Sequence, residues 1–470
     1  MTKHTNPIAL LGAAVGLLAL LSLPGFRPDW LLFKANRLVA GESFAPFALS
    51  AMWTFGLAGI WLGTAFVGMF VPKLRATLLS LLAAAALVVT LLFVGTATDG
   101  LLEESSRARV SLQGGVWLSV LAYYITLFAA LHEAKGSAFR KILLVAPGLL
   151  IAFGIILSGQ LSGLGLAQEL SNQGEDFQAE VVRHLALAGT SVLLAVLIGI
   201  PAAIASARRD GVASIVLPTV SLLQTLPSLA LFGLMLSPLA QLGRSLSLGR
   251  GLLFIVLGCL PALLLWVWAR GREGKTWTFV FITLTAALPL GLLTIILAVI
   301  LNDVFVALFS FSFTELNLGR GLGASLQSWG VRGIGTAPAL IALTLYALLP
   351  IVRNTYTGIK EVPNAAIEAG RGMGMSPAQI LRRVELPLAL PLINEGLRAS
   401  LVLTIGIATV AFLIGAGGLG TFIQRGISQV VPDLILLGAI PVIILALALD
   451  GLLRMVGVWL TPRGLRTGAR

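Results

Sequence analysis

Long apolar segments alternate with short polar segments along the whole chain. A helix that crosses a bilayer needs about 20 mostly apolar residues. Segments of about that length lie at 8–24, 46–70, 76–98, 115–132, 142–165, 185–206, 213–237, 252–269, 277–301, 337–352, 397–416 and 434–458. The pattern predicts an all-α polytopic membrane protein with about 12 transmembrane helices.

The composition agrees with a chain whose solvent is the bilayer. Of the 470 residues, 57% are hydrophobic and only 11% are charged, which does not suit a soluble globule of this length. The longest polar segments, 302–336 and 353–396, are too short for a soluble domain of ordinary size. The first apolar segment follows Lys3 as in a signal peptide, but we see no clear small-x-small cleavage site and keep it as a span.

The basic residues predict the orientation of the spans. Lys and Arg near span ends stay preferentially in the cytoplasm, and with a cytoplasmic N-terminus 21 of the 32 Lys and Arg residues fall on that side. We therefore expect both termini to be cytoplasmic. The net charge of +12 is explained by this topology rather than by nucleic-acid binding.

Residues with metal-binding or catalytic chemistry are few and scattered. Cys259 is the only cysteine, and His4, His132 and His184 lie far apart in the sequence. We predict no metal site and no catalytic constellation. The histidines stand at the ends of predicted spans, where an interfacial role is expected.

The polar segment 361–391 stands between two apolar segments and predicts a helix-turn-helix at the membrane surface. Pro363 suits the first turn of a helix, and the Ala-rich residues after it favour helix until Gly374 supplies a stop. Ser376 can cap a second helix, with Pro377 at its first position and Gln379 completing a capping box. We expect Pro387 and Pro391 to break this second helix before the next span.

The spacing within this segment resembles the cytoplasmic EAA loop of ABC importer permeases. It runs Glu368-Ala369-Gly370, three residues, Gly374, nine residues, and then Val384-x-Leu386-Pro387. The resemblance implies that a separate ATPase subunit uses the ATP, so that this chain binds no cofactor directly. It also implies that Glu368, Ala369, Gly370 and Gly374 contact the ATPase, while Leu386 and Pro387 fix the return of the loop. Gly370 and Val384 depart from the family's usual alanine and isoleucine without changing the spacing.

Further stretches narrow the resemblance to glycine betaine, carnitine and choline permeases. They lie at 184–205, 222–234, 337–359, 384–393 and 413–423. By this likeness a five-helix permease core would comprise 184–238 and 337–458, with an N-terminal extension of about five spans at 1–183, an insertion of about two spans at 239–336 and a basic tail at 459–470.

This family likeness implies a location and a set of partners. The protein would lie in the bacterial cytoplasmic (inner) membrane, with an ABC ATPase subunit on the cytoplasmic side and a solute-binding protein outside. A second copy of the permease, or a sister permease, would complete the translocation path. The solute would be a small quaternary-ammonium osmoprotectant.

Two sets of residues are candidates for the path itself. Polar or kinked positions within the core spans could line it, namely Ser191, Gln224, Thr225, Pro227 and Thr404. The glycine-rich stretch with Gly415, Gly417, Gly418 and Gly420 could form an outer gate. This stretch also fits G-x-G-x-x-G, but it follows a membrane span rather than a βαβ strand, which argues against a nucleotide site.

Ionisable residues within spans leave other functions open. Asp450 lies four residues before Arg454, so the two are expected to pair on one helix face, and Glu395 is expected to pair with Arg398. In the main alternative, an ion-gradient-driven secondary transporter or channel, Asp450, Glu395 or Asp303 would couple solute movement to the gradient. A membrane enzyme acting on lipids is a third alternative.

Overall fold

A computed structural model describes residues 5–21, 25–36, 39–103, 108–134, 138–269, 276–310 and 323–460. The predicted tail at 459–470 lies almost entirely outside these residues, as do Lys3 and His4. Within them, nine helices are long and apolar enough to cross a membrane, and the bent pair Asp210–Thr225 and Ser228–Ser245 would make a tenth span. Two shorter apolar helices, Pro7–Leu18 and Leu248–Leu260, account for the remaining predicted segments. The all-α polytopic fold is confirmed.

The chain forms two compact units. The first comprises Met1–Gly174 with Val430–Leu436, and the second comprises Glu175–Gln429 with Leu437–Arg470. The first unit thus ends inside the predicted extension 1–183. Its elements are α1 (Pro7–Leu18), β1 (Leu31–Lys34), β2 (Glu42–Phe44), α2 (Pro46–Leu49), α3 (Ala51–Phe70), α4 (Arg75–Leu102), β3 (Arg109–Leu112), α5 (Gly114–Glu133), α6 (Ala138–Leu157) and α7 (Gly165–Asn172).

A small antiparallel sheet in the first unit has the strand order β2-β1-β3. Leu31 in β1 pairs with Phe44 on one side and with Leu112 on the other. Beside it, Trp30 is fully buried, and its indole N–H donates to the carbonyl oxygen of Ala19 over 2.8 Å. The sequence analysis did not predict this sheet.

Polar contacts connect strand β3 of the first unit to Asp433 and to α7. Ser111 donates a hydrogen bond to the Asp433 carboxylate over 2.5 Å, and Arg109 forms an ion pair with the buried Glu169 of α7. Buried charges are tolerated when they are paired and hydrogen-bonded. The Asp433 contact explains why Val430–Leu436, so distant in sequence, belongs to this unit.

The second unit contains the helices that carry the polar segment 361–391. They are α8 (Gly174–Arg208), α9 (Asp210–Thr225), α10 (Ser228–Ser245), α11 (Leu248–Ala269), α12 (Thr276–Ser310), α13 (Thr336–Lys360), α14 (Asn364–Gly372), α15 (Pro377–Ile380), α16 (Leu386–Ala408), α17 (Gly420–Gln429) and α18 (Pro432–Leu460).

The predicted span 213–237 is not one straight helix, because two helices, α9 and α10, meet there at an angle of 102°. Leu226 and Pro227 between them have extended ψ angles of 130° and 133°; a residue before proline is driven out of the helical region. Tyr346 donates its hydroxyl hydrogen to the carbonyl oxygen of Leu226, and Gln224 donates to the carbonyl oxygen of Tyr346 over 3.2 Å. The first of these bonds supplies a partner for a backbone oxygen at the break, and both connect the bend to α13.

Helices α13 and α16 pack closely, because glycines let their backbones approach. A methyl group on Gly358 would lie 3.2 Å from the Cβ of Ala389, and one on Gly396 would lie 2.8 Å from the carbonyl oxygen of Pro350. Small residues at helix contacts allow such approach in membrane proteins. The two helices that flank the segment 361–391 therefore form one tightly packed pair.

Candidate functional site

The segment after α13 forms the predicted helix-turn-helix, with the short helix α14 followed by a second helix that begins at Pro377. The first, α14, begins after Pro363, which precedes the helix rather than standing in its first turn. Glu368 and Ala369 are exposed on it, whereas Gly370 is buried. A methyl group on Gly370 would lie 3.5 Å from Ile380 and 3.7 Å from Val384, so this glycine faces the second helix. Glu368 and Ala369 thus form the surface that another protein could contact.

The turn between the two helices is built by Gly374. Its φ is +75°, which is the left-handed region that favours glycine. Its N–H donates to the carbonyl oxygen of Arg371 over 2.9 Å, and the N–H of Met375 donates to the carbonyl oxygen of Gly370 over 3.1 Å. This pair of bonds is the Schellman motif that ends many helices. The predicted role of Gly374 as a helix stop is confirmed.

The second helix begins with the predicted capping box. The Ser376 N–H donates to the Gln379 side chain over 2.8 Å, and the Gln379 N–H donates to the Ser376 hydroxyl over 3.4 Å. Pro377 occupies the first turn. Both ends of the turn are thus fixed by local hydrogen bonds, so the loop has a defined shape.

The prediction that Pro387 and Pro391 break the second helix is wrong. Helix continues from Pro377 to Ala408, with a π-helical stretch at Leu381–Glu385. Within this stretch the helix widens to i→i+5 bonding just before Leu386 and Pro387, which accommodates a proline that lacks an N–H. Leu386 and Pro387 therefore join the loop directly to the membrane helix α16.

Two ion pairs tie the ends of this loop to the junction of α8 and α9. Arg208, the last residue of α8, pairs with Glu385 in the π-helical stretch, and Lys360 lies 3.8 Å from Asp210. The Glu385 side chain is only 4% exposed, while that of Asp210 is 97% exposed. Glu385 was not among the candidate residues identified from the sequence. The available signal was an acid set between apolar residues in Val384-Glu385-Leu386.

The candidate path residues occupy two kinds of environment. Ser191 is fully buried in α8, with no hydrogen-bond partner among the described residues, and Thr404 is buried in α16 and donates to the carbonyl oxygen of Ser400 over 2.7 Å. Gln224, Thr225 and Pro227 instead surround the bend between α9 and α10. Three of the five candidates therefore lie at this bend.

The candidate gate glycines form a tight turn between α16 and α17. Gly415, Gly417 and Gly418 have φ of +74°, +78° and +92°, and a methyl group on Gly420 would lie 1.8 Å from the carbonyl oxygen of Thr409. All four positions therefore need glycine, three for backbone conformation and one for space.

The start of α8 holds this turn. The Gly418 N–H donates to the Glu180 carboxylate, and Glu180 also accepts from Arg183 over 3.1 Å. His184 is fully buried beside Gly418, and its Nε2 lies 3.1 Å from the carbonyl oxygen of Ile405. The expected interfacial role for His184 is wrong, because the ring is buried against Gly418 and Ile405.

Asp450 has a different partner from the predicted one. Arg398 in α16 donates two hydrogen bonds to the Asp450 carboxylate in α18, over 2.8 and 3.0 Å, so the expected pair with Arg454 is wrong. The expected pair of Arg398 with Glu395 is confirmed at 2.6 Å. One arginine thus binds both carboxylates, in the fork geometry that suits guanidinium and carboxylate groups.

Comparisons with known families cover most of the chain. Residues 254–463 match the family described as "Binding-protein-dependent transport system inner membrane component", and residues 5–167 match "ABC transporter permease YehY, N-terminal domain". The first match begins inside the predicted insertion 239–336 and includes the whole loop 361–391. The second falls within the first structural unit.

Several curated proteins are similar to part of this chain. The choline transport system permease protein OpuBB of Bacillus subtilis is 48% identical over 134 residues, which are 28% of this chain and 62% of the relative. The carnitine transport permease protein OpuCB of Listeria monocytogenes is 52% identical over the same shares. The osmoprotectant import permease protein OsmW of Salmonella typhimurium is 47% identical over 146 residues, 31% of this chain and 68% of the relative. The match spans less than two thirds of the first two relatives.

Proposed function

This chain belongs to the family of binding-protein-dependent transport system inner membrane components, and from that membership we propose that it is the transmembrane permease subunit of an ATP-driven importer. The observation that carries the proposal is the loop between α13 and α16. Its Glu368–Ala369 surface is exposed, and the Gly374 turn and the Ser376 cap fix its shape. A rigid exposed helix joined to membrane helices is suited to receive force from a cytoplasmic ATPase.

The proposed solute is a small quaternary-ammonium osmoprotectant such as glycine betaine, choline or carnitine. Relatives named for choline, carnitine and osmoprotectant transport support this class. The matched family is described as binding-protein-dependent. Capture of the solute is therefore assigned to a separate extracytoplasmic solute-binding protein, and ATP hydrolysis to a separate ATPase subunit.

The permease works in the bacterial inner membrane with both termini in the cytoplasm, paired with a second copy or a sister permease. The bend at Gln224, Thr225 and Pro227 lies on the translocation path together with Ser191 and Thr404. The glycine turn at 415–420 is the outer gate. The tight geometry of that turn, held by Glu180, supports a gate that opens as a unit.

The experiment that tests this function is purification of the complex from native membranes, followed by uptake in reconstituted vesicles. We expect a stoichiometric ATPase to co-purify and uptake of radiolabelled glycine betaine, choline or carnitine to require ATP. Glu368→Ala should leave the amount of protein in the membrane unchanged while abolishing ATP-dependent uptake. Glu361→Gln, an exposed acid at the start of the same loop, is the control and should transport normally.

Two results would contradict the proposal. One is a wild-type complex that contains no ATPase even after crosslinking. The other is uptake in vesicles without ATP, driven by a proton gradient alone, which would make the chain a secondary transporter.

A further inference from the structure

Glu385 is a buried acid, whereas the other two acids of the loop, Glu361 and Glu368, are exposed. Its side chain is 4% exposed, and its partner is the guanidinium group of Arg208. A buried carboxylate is costly unless it is paired. A polar or apolar residue would fill the same space without that cost, so the position calls for an explanation beyond packing.

The partner, Arg208, is the last residue of the 35-residue helix α8. Near the other end of the same helix, the Glu180 carboxylate accepts the N–H of Gly418 in the glycine turn. At a rise of 1.5 Å per residue, Glu180 and Arg208 are about 42 Å apart along the helix, which exceeds the thickness of the hydrocarbon core of a bilayer. One helix therefore has its first turns bonded to the glycine turn and its last residue bonded to the loop 361–391.

The second contact at this end of α8 is weaker. Lys360 and Asp210 lie 3.8 Å apart, with side chains 45% and 97% exposed. Exposed ion pairs contribute little, because water screens them. The Arg208–Glu385 pair, in which the Glu385 side chain is 4% and the Arg208 side chain 39% exposed, is thus the stronger link between the loop and the junction of α8 and α9.

The loop itself is joined to a rigid body. Glu385 is followed at once by α16, which packs closely on α13 through Gly358 and Gly396. A force on the loop therefore moves α13 and α16 together. Helix α8 also packs on both helices, with Gly199 beside Ile351 of α13 and His184 beside Ile405 of α16. The Arg208–Glu385 pair adds a direct ionic contact between the loop and the last residue of α8.

We infer that Arg208 and Glu385 are positioning residues that transmit the displacement of the loop to α8, and through α8 to the glycine turn held by Glu180. This inference rests on the proposed function. In this role α8 connects the loop that contacts the ATPase to the glycine turn proposed as the outer gate. The pair makes no contact with solute or ATP in this role, so its loss affects coupling rather than binding or hydrolysis.

The decisive variant is the double replacement Arg208→Met with Glu385→Leu. It removes both charges, so no unpaired charge remains at the buried Glu385 position, and the Arg208 side chain that is replaced is 39% exposed. The single variant Glu385→Gln keeps a side chain of the same size that can still accept from Arg208. Glu361→Gln is the matched control, since it removes an exposed charge from the same loop.

Each variant is purified as the complex with its co-purifying ATPase, and ATP hydrolysis and uptake of radiolabelled glycine betaine, choline or carnitine are measured together. We expect the double variant to retain the ATPase and to hydrolyse ATP within about twofold of the wild-type rate. Its uptake per ATP should fall at least tenfold, with a smaller fall in Glu385→Gln and none in Glu361→Gln.

The outcomes separate this inference from the proposed function. Normal uptake per ATP in an assembled double variant would overturn the inference alone and would show that the pair only fills space. Loss of the ATPase from the double variant would also overturn it, because the pair would then be needed for assembly. A wild-type complex without any ATPase would overturn both.

Discussion

At the scale of single residues, the two glycines of the loop serve different purposes. Gly374 has φ of +75° with nothing within 4 Å of the position that a Cβ would take, whereas Gly370 has a helical conformation and would place a methyl group in ordinary contact with Ile380. The first position is therefore restricted by backbone conformation. The second is not restricted, and an alanine fits there.

The paired variants Gly374→Ala and Gly370→Ala should therefore change the loop in opposite directions. Left-handed backbone costs a non-glycine residue about 1–2 kcal/mol, so Gly374→Ala should speed amide exchange in residues 364–374 by roughly fivefold or more. Gly370→Ala should slow it, because alanine gains up to about 1 kcal/mol over glycine in a helix. Hydrogen exchange measured by mass spectrometry on this peptide tests both. Equal effects of the two variants would contradict the assignment of the turn to Gly374.

Local hydrogen bonding explains why these residues could be predicted from the sequence and others could not. The capping box of Ser376 and Gln379 and the turn at Gly374 depend on residues within a few positions of each other. The partner of Asp450 depends instead on the packing of α16 against α18, which brings Arg398 within 2.8 Å. The burial of His184 and of Glu385 likewise depends on contacts with residues more than 170 positions away.

At the scale of helices and strands, hydropathy predicts where the spans lie but not where they break. The stretch around Leu226 and Pro227 includes the polar residues Gln224, Thr225 and Ser228. The window across it is nevertheless apolar enough to pass as one span, so hydropathy does not reveal the 102° bend. The strands β1 to β3 have three or four residues each, and β3 lies more than 60 residues after β2. Their pairing is a tertiary property that no local period reveals.

The Arg398 contacts hold α16 against α18, and a pair of matched variants tests this. Arg398→Met removes two hydrogen bonds to Asp450 and one to Glu395, so thermal unfolding in detergent should show a loss of about 1.5–3 kcal/mol. Arg454→Met removes an exposed arginine of α18 and should change stability by less than about 0.5 kcal/mol. If Arg454→Met were the more destabilising change, Asp450 would pair along its own helix after all.

At the scale of the whole molecule, the division into two units bears on what the extension contributes. The first unit holds the whole match to the family's N-terminal domain and carries its own buried aromatic core around Trp30 and Phe93, whose rings lie 5.0 Å apart. It also includes Val430–Leu436, at the start of α18. The predicted boundaries of the core, the extension and the insertion come from family likeness. The contacts within the chain instead divide it after Gly174.

The orientation of the second unit in the membrane is a prediction that two reporter cysteines can test. With Cys259 replaced by alanine, Met373→Cys reports on the loop and Ser428→Cys on α17, and both native residues are exposed. Between them runs one continuous helix, Pro377–Ala408, of about 48 Å, which is long enough to cross the hydrocarbon core once. The excess of Lys and Arg on the loop side predicts that this side faces the cytoplasm.

A membrane-impermeant maleimide should therefore label the Met373→Cys protein only in inverted vesicles and the Ser428→Cys protein only in right-side-out vesicles. Unlabelled controls opened with detergent show whether each cysteine is reactive at all. Labelling of both from the same side would mean that the helix does not cross the membrane between them. Labelling of the two from opposite sides, but with Met373→Cys reacting from the outside, would keep the crossing and reverse the orientation, so that no cytoplasmic ATPase could reach the Glu368–Ala369 surface.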